Sequence, residues 1–185
     1  MQNVRKYWWI AIVLLLIFLP WSGFNTLVAL DEEINGAWAQ VENQLQRRFD
    51  LIPNLVETVK GYTTHEQEVL GAIAEARTRY AGASSVGEKA IASGELDTAL
   101  SRLMVIVENY PQLKADTQFT RLQDELAGTE NRIAVARMRY NEQVKAYNAK
   151  IRRVPYALYA SLFGFSIRDY FEAAPGAAQV PEVKF

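Results

Sequence analysis

The chain has 185 residues, a formal net charge of −1 and no cysteine. These residues therefore exclude disulfides, a thiol nucleophile and a thiolate metal site, and the balanced charge lacks the basic field of nucleic-acid-binding domains. Abundant alanine, glutamate, arginine, leucine and glutamine with only 6 prolines are typical of an all-α protein.

The first element is an uncharged segment at residues 7–30. About 20 apolar residues suffice for a helix to cross the bilayer core. Trp8 and Trp9 at one end and Trp21 further along suit an aromatic belt at the membrane interface, so we predict that all three contact lipid. A buried core helix and a cleaved signal peptide are the alternatives. Residues 20–23 fit the small-residue cleavage pattern poorly, which favours a retained transmembrane helix.

The charges on either side of this segment predict its orientation. Arg5 and Lys6 precede it, whereas Asp31, Glu32 and Glu33 follow it. Basic residues remain on the cytoplasmic side of a membrane. We therefore predict a single-pass protein with residues 1–6 in the cytoplasm and the remaining domain outside it.

Residues 31–60 show a helical apolar pattern with spacings of three and four. No breaker separates Leu30 from Asp31, so the membrane helix is predicted to continue into the first bundle helix. Pro53 is predicted to kink or break that helix near residues 49–52, and Gly61 to end it. The apolar positions that recur at sevens are Trp38, Leu45, Ile52 and Val59.

Two shorter helices are predicted next. Thr63 or Thr64 can cap a second helix, with Glu66 or Gln67 completing a capping box, and this helix is predicted to end near Gly82. Residues 82–94 are small and rich in helix breakers and are predicted to form a loop. The third helix then runs to Pro111, with an apolar face formed by Leu96, Leu100, Leu103, Val107 and Tyr110.

The fourth helix is the longest soluble one and is capped by Asp116 or Thr117. It is predicted to end before Pro155, about 54 Å from its start at 1.5 Å per residue. Together these patterns predict an elongated antiparallel bundle of about four helices over residues 31–153, with long helices near 24–60 and 117–153. The residues that recur at sevens in the last helix are Phe119, Leu126, Ile133, Tyr140 and Tyr147.

Residues 154–171 form an aromatic segment, uncharged through residue 167. It is too short to cross a bilayer comfortably, and we predict a short helix at the membrane-proximal end of the bundle. Tyr156, Tyr159, Phe163 and Phe165 are its candidate membrane contacts, and the alternative is that they cap the core of the bundle. Residues 172–185 are predicted to be a disordered tail.

The sequence contains no catalytic pattern. His65-Glu66 lacks the second histidine that a zinc protease helix carries, and no nucleophile elbow, phosphate loop or dinucleotide fingerprint occurs. We expect no catalytic residue, no metal site, no cofactor and no enzymatic activity.

Several polar residues lie on or beside the apolar stripes. Arg48 and Thr129 occupy positions where the sevenfold repeats predict apolar side chains. Such residues can form a polar layer that sets the register between helices, as in coiled coils, although ordinary solvated faces are the alternative. The candidates for this layer between the first and fourth helices are Arg48, Asp50, Asn54, Thr129, Glu130 and Asn131, with Asn141 and Asn148 also near the stripes.

Long motifs resemble the LemA family over nearly the whole chain. They are QVENQLQRRFDLIPNLVETVKGY at 40–62, YPQLKAD at 110–116 and LQDELAGTENRIAVARMRYNEQVKAYN at 122–148. The resemblance implies a membrane-anchored helical bundle in bacteria, in some relatives linked to membrane organisation including magnetosome membranes, and it implies no enzymatic activity. Many relatives carry a lipoprotein cysteine before the junction at Gly23, where this chain has Trp21-Ser22, so the transmembrane helix is expected to serve as the anchor.

We therefore expect a self-assembling structural or interaction protein of the bacterial inner membrane, with its helical domain in the periplasm or outside the cell. Its expected partners are membrane lipids and further copies of the chain. A lipid- or ligand-handling protein and, less favoured, a hydrolase using His65 and Glu66 are the alternatives.

Overall fold

The structure is a computed structural model that describes residues 2–63 and 66–172, with side chains described from residue 22 onward. These residues form six α-helices and no strand, which confirms the all-α prediction. The helices are α1 (Gln2–Lys60), α2 (Gln67–Gly82), α3 (Val86–Val107), α4 (Pro111–Lys114), α5 (Thr117–Ile151) and α6 (Tyr156–Phe163).

Helix α1 is continuous from the uncharged segment into the bundle, as predicted. Residues 49–53 remain helical, so a break before Pro53 is wrong, whereas a kink there stays a prediction. A proline removes one backbone hydrogen bond from a helix, but Phe49, Ile52 and Leu55 around it are almost fully buried. Their packing holds this part of α1 in the helical conformation.

The predicted anchor lies for most of its length outside the residues with described side chains. Among the residues that the structure describes, no helix combines the length and apolar character needed to cross a membrane. The side chains of Trp8, Trp9 and Trp21, which were predicted to contact lipid, lie outside the described residues. The predicted tail beyond residue 172 also lies outside the described residues.

The start of α2 differs from the predicted capping box. The residue at the N-cap is Glu66, whose side chain makes no capping hydrogen bond. Thr63 instead donates its hydroxyl proton to the carbonyl of Val59, at 3.2 Å, and so extends the end of α1. Thr64 lies outside the described residues, and α2 ends at Gly82 as predicted.

The predicted loop at 82–94 is wrong, because α3 begins at Val86. Ser85 and Glu88 form a reciprocal capping box, in which each side chain accepts a hydrogen bond from the backbone of the other residue. This cap satisfies amide groups that would otherwise lack partners at the helix start. The small residues that looked like a loop are packed inside the bundle, at Ala90, Ala92 and Ser93.

Two carboxylates at helix starts are held in their charged form. Backbone donors at Ser84 and Ser85 lower the pKa of Glu88. Asp116 caps α5, as predicted, by accepting a hydrogen bond from the Phe119 amide at 2.8 Å, and this bond is the main cause of its lowered pKa. Both caps therefore stabilise the helices in the ionised state.

The chain divides into two compact units, and α1 and α5 contribute to both. Unit 1 comprises Met1–Trp38 and Arg139–Arg168, and unit 2 comprises Ala39–Met138 and Asp169–Phe185.

Unit 2 is an antiparallel helical bundle. Tyr62, after the end of α1, donates to Asp116, before the start of α5, at 2.7 Å, so these helices run in opposite directions. The hydroxyl of Tyr110, just after α3, donates to Glu66, just before α2, at 3.1 Å, so α2 and α3 also run in opposite directions. The core of unit 2 contains side chains from α1, α2, α3 and α5. They include Leu45, Phe49, Ile73, Leu96, Leu103, Phe119 and Ile133.

Unit 1 pairs the preceding part of α1 with the second half of α5. Trp38 lies against Tyr140 with ring centroids 5.3 Å apart, and Asp31 of α1 and Asn148 of α5 both form hydrogen bonds with Arg168. Because the contacts run backwards along α1 as they run forwards along α5, the two helices are antiparallel, as predicted. The buried side chains of unit 1 are Leu27, Ile34, Tyr140, Val144, Tyr147, Asn148, Ile151 and Ala160.

Candidate functional site

The first candidate site is the aromatic contact between α6 and α1 in unit 1. Tyr159 lies directly over Gly23, so close that a Cβ atom there would lie 2.2 Å from two ring carbons. Phe24 packs edge-to-face on Phe163 at 4.9 Å between centroids, and its centroid lies 5.8 Å from that of Phe165. Three of the four candidate membrane contacts in residues 154–171 thus pack on α1 within the protein.

The fourth, Tyr156, also packs within unit 1. Its ring lies 6.1 Å from that of Tyr159 and under the ammonium group of Lys150, 4.9 Å from the ring centroid. The contact of all four residues with lipid stays a prediction.

The opposite face of α6 is apolar and exposed. At 100° per residue, Leu158 and Leu162 point about 160–200° away from the buried Ala160. Leu158 is 66% exposed and Leu162 is 74% exposed. These two leucines, rather than the aromatic residues, are the most exposed large apolar side chains of α6.

Gly164 ends α6 and redirects the chain. It has a positive φ of 77°, which only glycine adopts without a steric cost. The amide of the next residue, Phe165, donates to the carbonyl of Ala160 at 3.0 Å. This turn returns Phe165 toward Phe24 instead of letting the helix continue.

A clamp centred on Arg168 holds the end of this segment within unit 1. The Asn148 side chain accepts from the Arg168 amide at 3.0 Å and donates to its carbonyl at 2.8 Å. The guanidinium donates to both carboxylate oxygens of Asp31, at 2.9 and 2.8 Å, and to Asn35 at 3.1 Å. A bidentate guanidinium–carboxylate pair of this kind gives geometric specificity as well as energy.

The clamp is charged. Asp31, which accepts the guanidinium hydrogen bonds, raises the pKa of Arg168 further above its ordinary value. Both partners are only partly buried, so solvent screening limits the pair to about 1 kcal/mol. Its main effect is to fix where the chain leaves α6.

The second candidate site is a buried arginine in unit 2. Arg48 of α1 is 4% exposed, and its guanidinium lies 2.5 Å from Asp97 of α3 and 2.7 Å from Glu130 of α5. The contact with Glu130 has ion-pair distance but not hydrogen-bond alignment, and Nε of Arg48 has no partner among the described residues. A single arginine thus links three helices.

This arginine lies beside a groove of about 480 Å³ in unit 2. Apolar side chains of α3 and α5 form most of its wall, and the charged groups lie at one edge. The lining residues include Leu100, Met104, Gln123, Leu126 and Ala127.

The structure brings together only part of the predicted polar layer. Arg48 and Glu130 meet, whereas Asp50, Asn54 and Asn131 are exposed. Thr129 is fully buried, but its hydroxyl donates to the Leu126 carbonyl of its own helix at 2.7 Å. The role of this layer in setting register stays a prediction.

Sequence reasoning missed Asp97 and the Arg168 clamp. Asp97 directly follows Leu96, which belongs to the predicted apolar stripe of α3. No local sequence pattern indicates that Asp97 lies close to Arg48. Arg168 and Asp31 are 137 residues apart, although Asn148 of the same clamp was noticed beside the stripe. Asp31 could have been identified from the sequence as a candidate for this clamp, because it is a charged residue directly after an uncharged segment.

No chemistry of the hydrolase type is visible among the described residues. His65 lies outside them, and Glu66 accepts a hydrogen bond from the Tyr110 hydroxyl. In the described ranges no group of histidine, aspartate and glutamate side chains is arranged to hold a metal ion.

Comparison with known proteins identifies one matching family and several similar proteins. A model described as the LemA family matches residues 37–185. Magnetosome protein MamQ 2 of Paramagnetospirillum magneticum is 27% identical over 178 residues, with 82% of this chain and 65% of that protein covered. Magnetosome protein MamQ of Magnetospirillum gryphiswaldense is 26% identical with the same coverage. Protein LemA of Metamycoplasma hominis is 24% identical over 154 residues, with 80% and 70% covered. The chain thus spans slightly less than two thirds of the length of its magnetosome relatives.

Proposed function

This chain belongs to the LemA family, as its motifs predicted, and from that premise we propose that it is a membrane-anchored, self-assembling interaction protein without enzymatic activity. Its membrane is the bacterial inner membrane, which it crosses once at residues 7–30. Its N-terminus lies in the cytoplasm and its helical units lie on the other side. Its function is to organise the membrane through contacts with lipids and with further copies of itself.

The observation that carries this proposal is the position of α6 beside Gly23 and Phe24. These two residues belong to the last third of the uncharged segment, and α1 continues from that segment to Lys60 without a break. The exposed leucines of α6 therefore belong to the part of unit 1 next to the proposed membrane exit. Apolar exposure at that point favours contact with a membrane interface.

Self-assembly is supported by apolar side chains on the outer face of α5. Val135 is 45% exposed and Met138 is 55% exposed. They lie three residues apart and are therefore neighbours on the helix surface. A second copy of the chain would remove them from water.

Two of the relatives are magnetosome proteins. Their names are consistent with the role in membrane organisation that the family resemblance implies.

Anchoring is tested by alkaline carbonate extraction of membranes that contain the full chain. The wild type is expected to stay in the pellet. Leu15→Arg, in the middle of the uncharged segment, is expected to release a large fraction, because arginine at the centre of a membrane helix costs about 3 kcal/mol. Val105→Arg changes an exposed residue of unit 2 and serves as the matched control. Complete release of the wild type would refute the anchor.

Self-assembly is tested by light scattering of the full chain in mild detergent at micromolar concentration. A mass above that of one chain is expected, and Val135→Glu/Met138→Glu is expected to lower it. Thr98→Glu, on the exposed face of α3, should leave it unchanged. A monomer for the wild type would contradict self-assembly.

A lipid- or ligand-handling role is the second candidate, and the apolar groove beside Arg48 favours it. An acyl chain could pack against Leu100, Met104 and Leu126. Native mass spectrometry should then show a lipid on the purified protein that Ala127→Trp displaces. Recovery of only lipid-free protein would count against this role.

A further inference from the structure

We propose that α6 and the two arginines before it form a second membrane contact that is selective for anionic lipid headgroups. This inference rests on the proposed anchor, because it requires the exit of α1 from the bilayer to lie near α6. It adds a lipid class and names the residues that recognise it.

The apolar part of this contact is the Leu158–Leu162 face. The opposite face of α6 is occupied by α1, since Tyr159 contacts Gly23 and Phe163 contacts Phe24. The helix therefore cannot turn its leucines inward without losing these contacts. Val154, which precedes the helix by two residues, is 80% exposed and extends the apolar surface.

The charged part is a basic stretch on both sides of the uncharged residues. From residue 143 to 168 the chain has no aspartate or glutamate, and its basic residues are Lys145, Lys150, Arg152, Arg153 and Arg168. Arg168 is neutralised by Asp31, and Lys150 lies over the Tyr156 ring. Arg152 and Arg153 are exposed and form no ion pair with a described residue.

These two features together indicate an anionic bilayer as the occupant. An apolar helix face flanked by basic residues lies in the interface plane of a membrane, with its binding strengthened by anionic lipids. The exposed guanidinium groups of Arg152 and Arg153 attract the negative charge of the lipid phosphates. A second copy of the chain that packed this same stretch against itself would offer the arginines no acidic group, because residues 143–168 contain no aspartate or glutamate.

The experiment uses the full chain with one fluorophore attached at Ser161→Cys. Since the sequence contains no other cysteine, the label attaches at this position alone. Ser161 is exposed beside the leucines. The protein is reconstituted in vesicles of phosphatidylcholine alone or of phosphatidylcholine with phosphatidylglycerol, which adds the anionic headgroups. Lipids with a quencher at headgroup depth report contact.

Quenching is expected to be stronger in the phosphatidylglycerol vesicles and to weaken at high salt. Arg152→Gln/Arg153→Gln should lower the ratio of docked to undocked α6 by about fivefold per arginine. Arg152→Lys/Arg153→Lys should retain most of the quenching, because the attraction depends on charge. Arg121→Gln/Arg132→Gln removes the same charge from exposed positions of unit 2 and should change nothing. Leu158→Ser/Leu162→Ser should weaken quenching in both kinds of vesicle.

Equal quenching of the wild type and the Arg152→Gln/Arg153→Gln variant in anionic vesicles would overturn the proposal. A probe that is shielded from water but not quenched by either lipid would show that another part of the chain or a second copy covers α6, and would overturn it too. In both cases the protein would still float with the vesicles, so the anchor would stand. Failure of the wild type to float would refute the anchor and this inference together.

Discussion

Replacing Gly23 by alanine should loosen α6 from α1. The new Cβ atom would lie 2.2 Å from two ring carbons of Tyr159, whereas ordinary contacts begin near 3.4 Å, so the ring or the helix must move by about 1.2 Å. Overpacking of this kind costs roughly 1–3 kcal/mol, and alanine returns about 1 kcal/mol through its better helix propensity. Gly36→Ala is the matched control, since no heavy atom lies within 4 Å of its Cβ position and only the propensity gain applies.

Hydrogen exchange of the reconstituted full chain measures this effect at residues 156–168. Gly23→Ala should speed exchange there by roughly fivefold, because the net loss is about 1 kcal/mol and each 1.4 kcal/mol of lost docking energy is a factor of ten in local opening. Gly36→Ala should leave it unchanged. Tyr159→Ala should remove the effect of Gly23→Ala in a double-mutant cycle. An unchanged rate in Gly23→Ala, or an equal increase in Gly36→Ala, would refute the steric argument.

Three further sets of variants test the charged contacts. Arg168→Gln should increase exchange at residues 164–168, and Arg168→Lys should not restore protection because lysine cannot reproduce the bidentate pair. Arg48→Met should lower the free energy of unfolding by about 2 kcal/mol, because it leaves two neighbouring carboxylates without their cation, and neutralising both carboxylates should recover most of the loss in urea titrations. Glu88 and Asp116 have lowered pKa values in the folded state, so their contribution is complete above the usual carboxyl pKa and is lost as pH falls through the folded values. Circular dichroism should therefore show acid unfolding that is shallower in Glu88→Gln/Asp116→Asn than in the wild type, and an unchanged acid limb would contradict the capping argument.

The sequence alone determined the helices with strong apolar periodicity. The sevenfold repeat from Phe119 to Tyr147 predicted the buried face of α5, and Asp116 predicted its first turn. Both signals are local, since a stripe or a cap involves residues within one or two helical turns. The same locality explains the error at residues 82–94, where small residues resembled a loop although Ser85 and Glu88 carried the capping-box spacing.

The candidate sites could be predicted only in part. Arg48 was noticeable because a charge at a core position needs partners, and Glu130 was among the candidates. Asp97 was not, because the pattern of α3 contains nothing about the rotation of that helix relative to α1. The Arg168–Asp31 pair joins residues 137 positions apart, and no local pattern links them.

The face of α6 shows most clearly what the tertiary structure decided. Composition identified residues 154–167 as an apolar aromatic segment and predicted its short helix. Which side chains point outward depends on what the helix packs against, and Gly23 is the residue that lets Tyr159 approach. The aromatic residues thereby pack on the protein and the two leucines face solvent. This outcome follows from the fit between two distant surfaces, because an eight-residue helix with apolar residues all round has no stripe of its own to orient it.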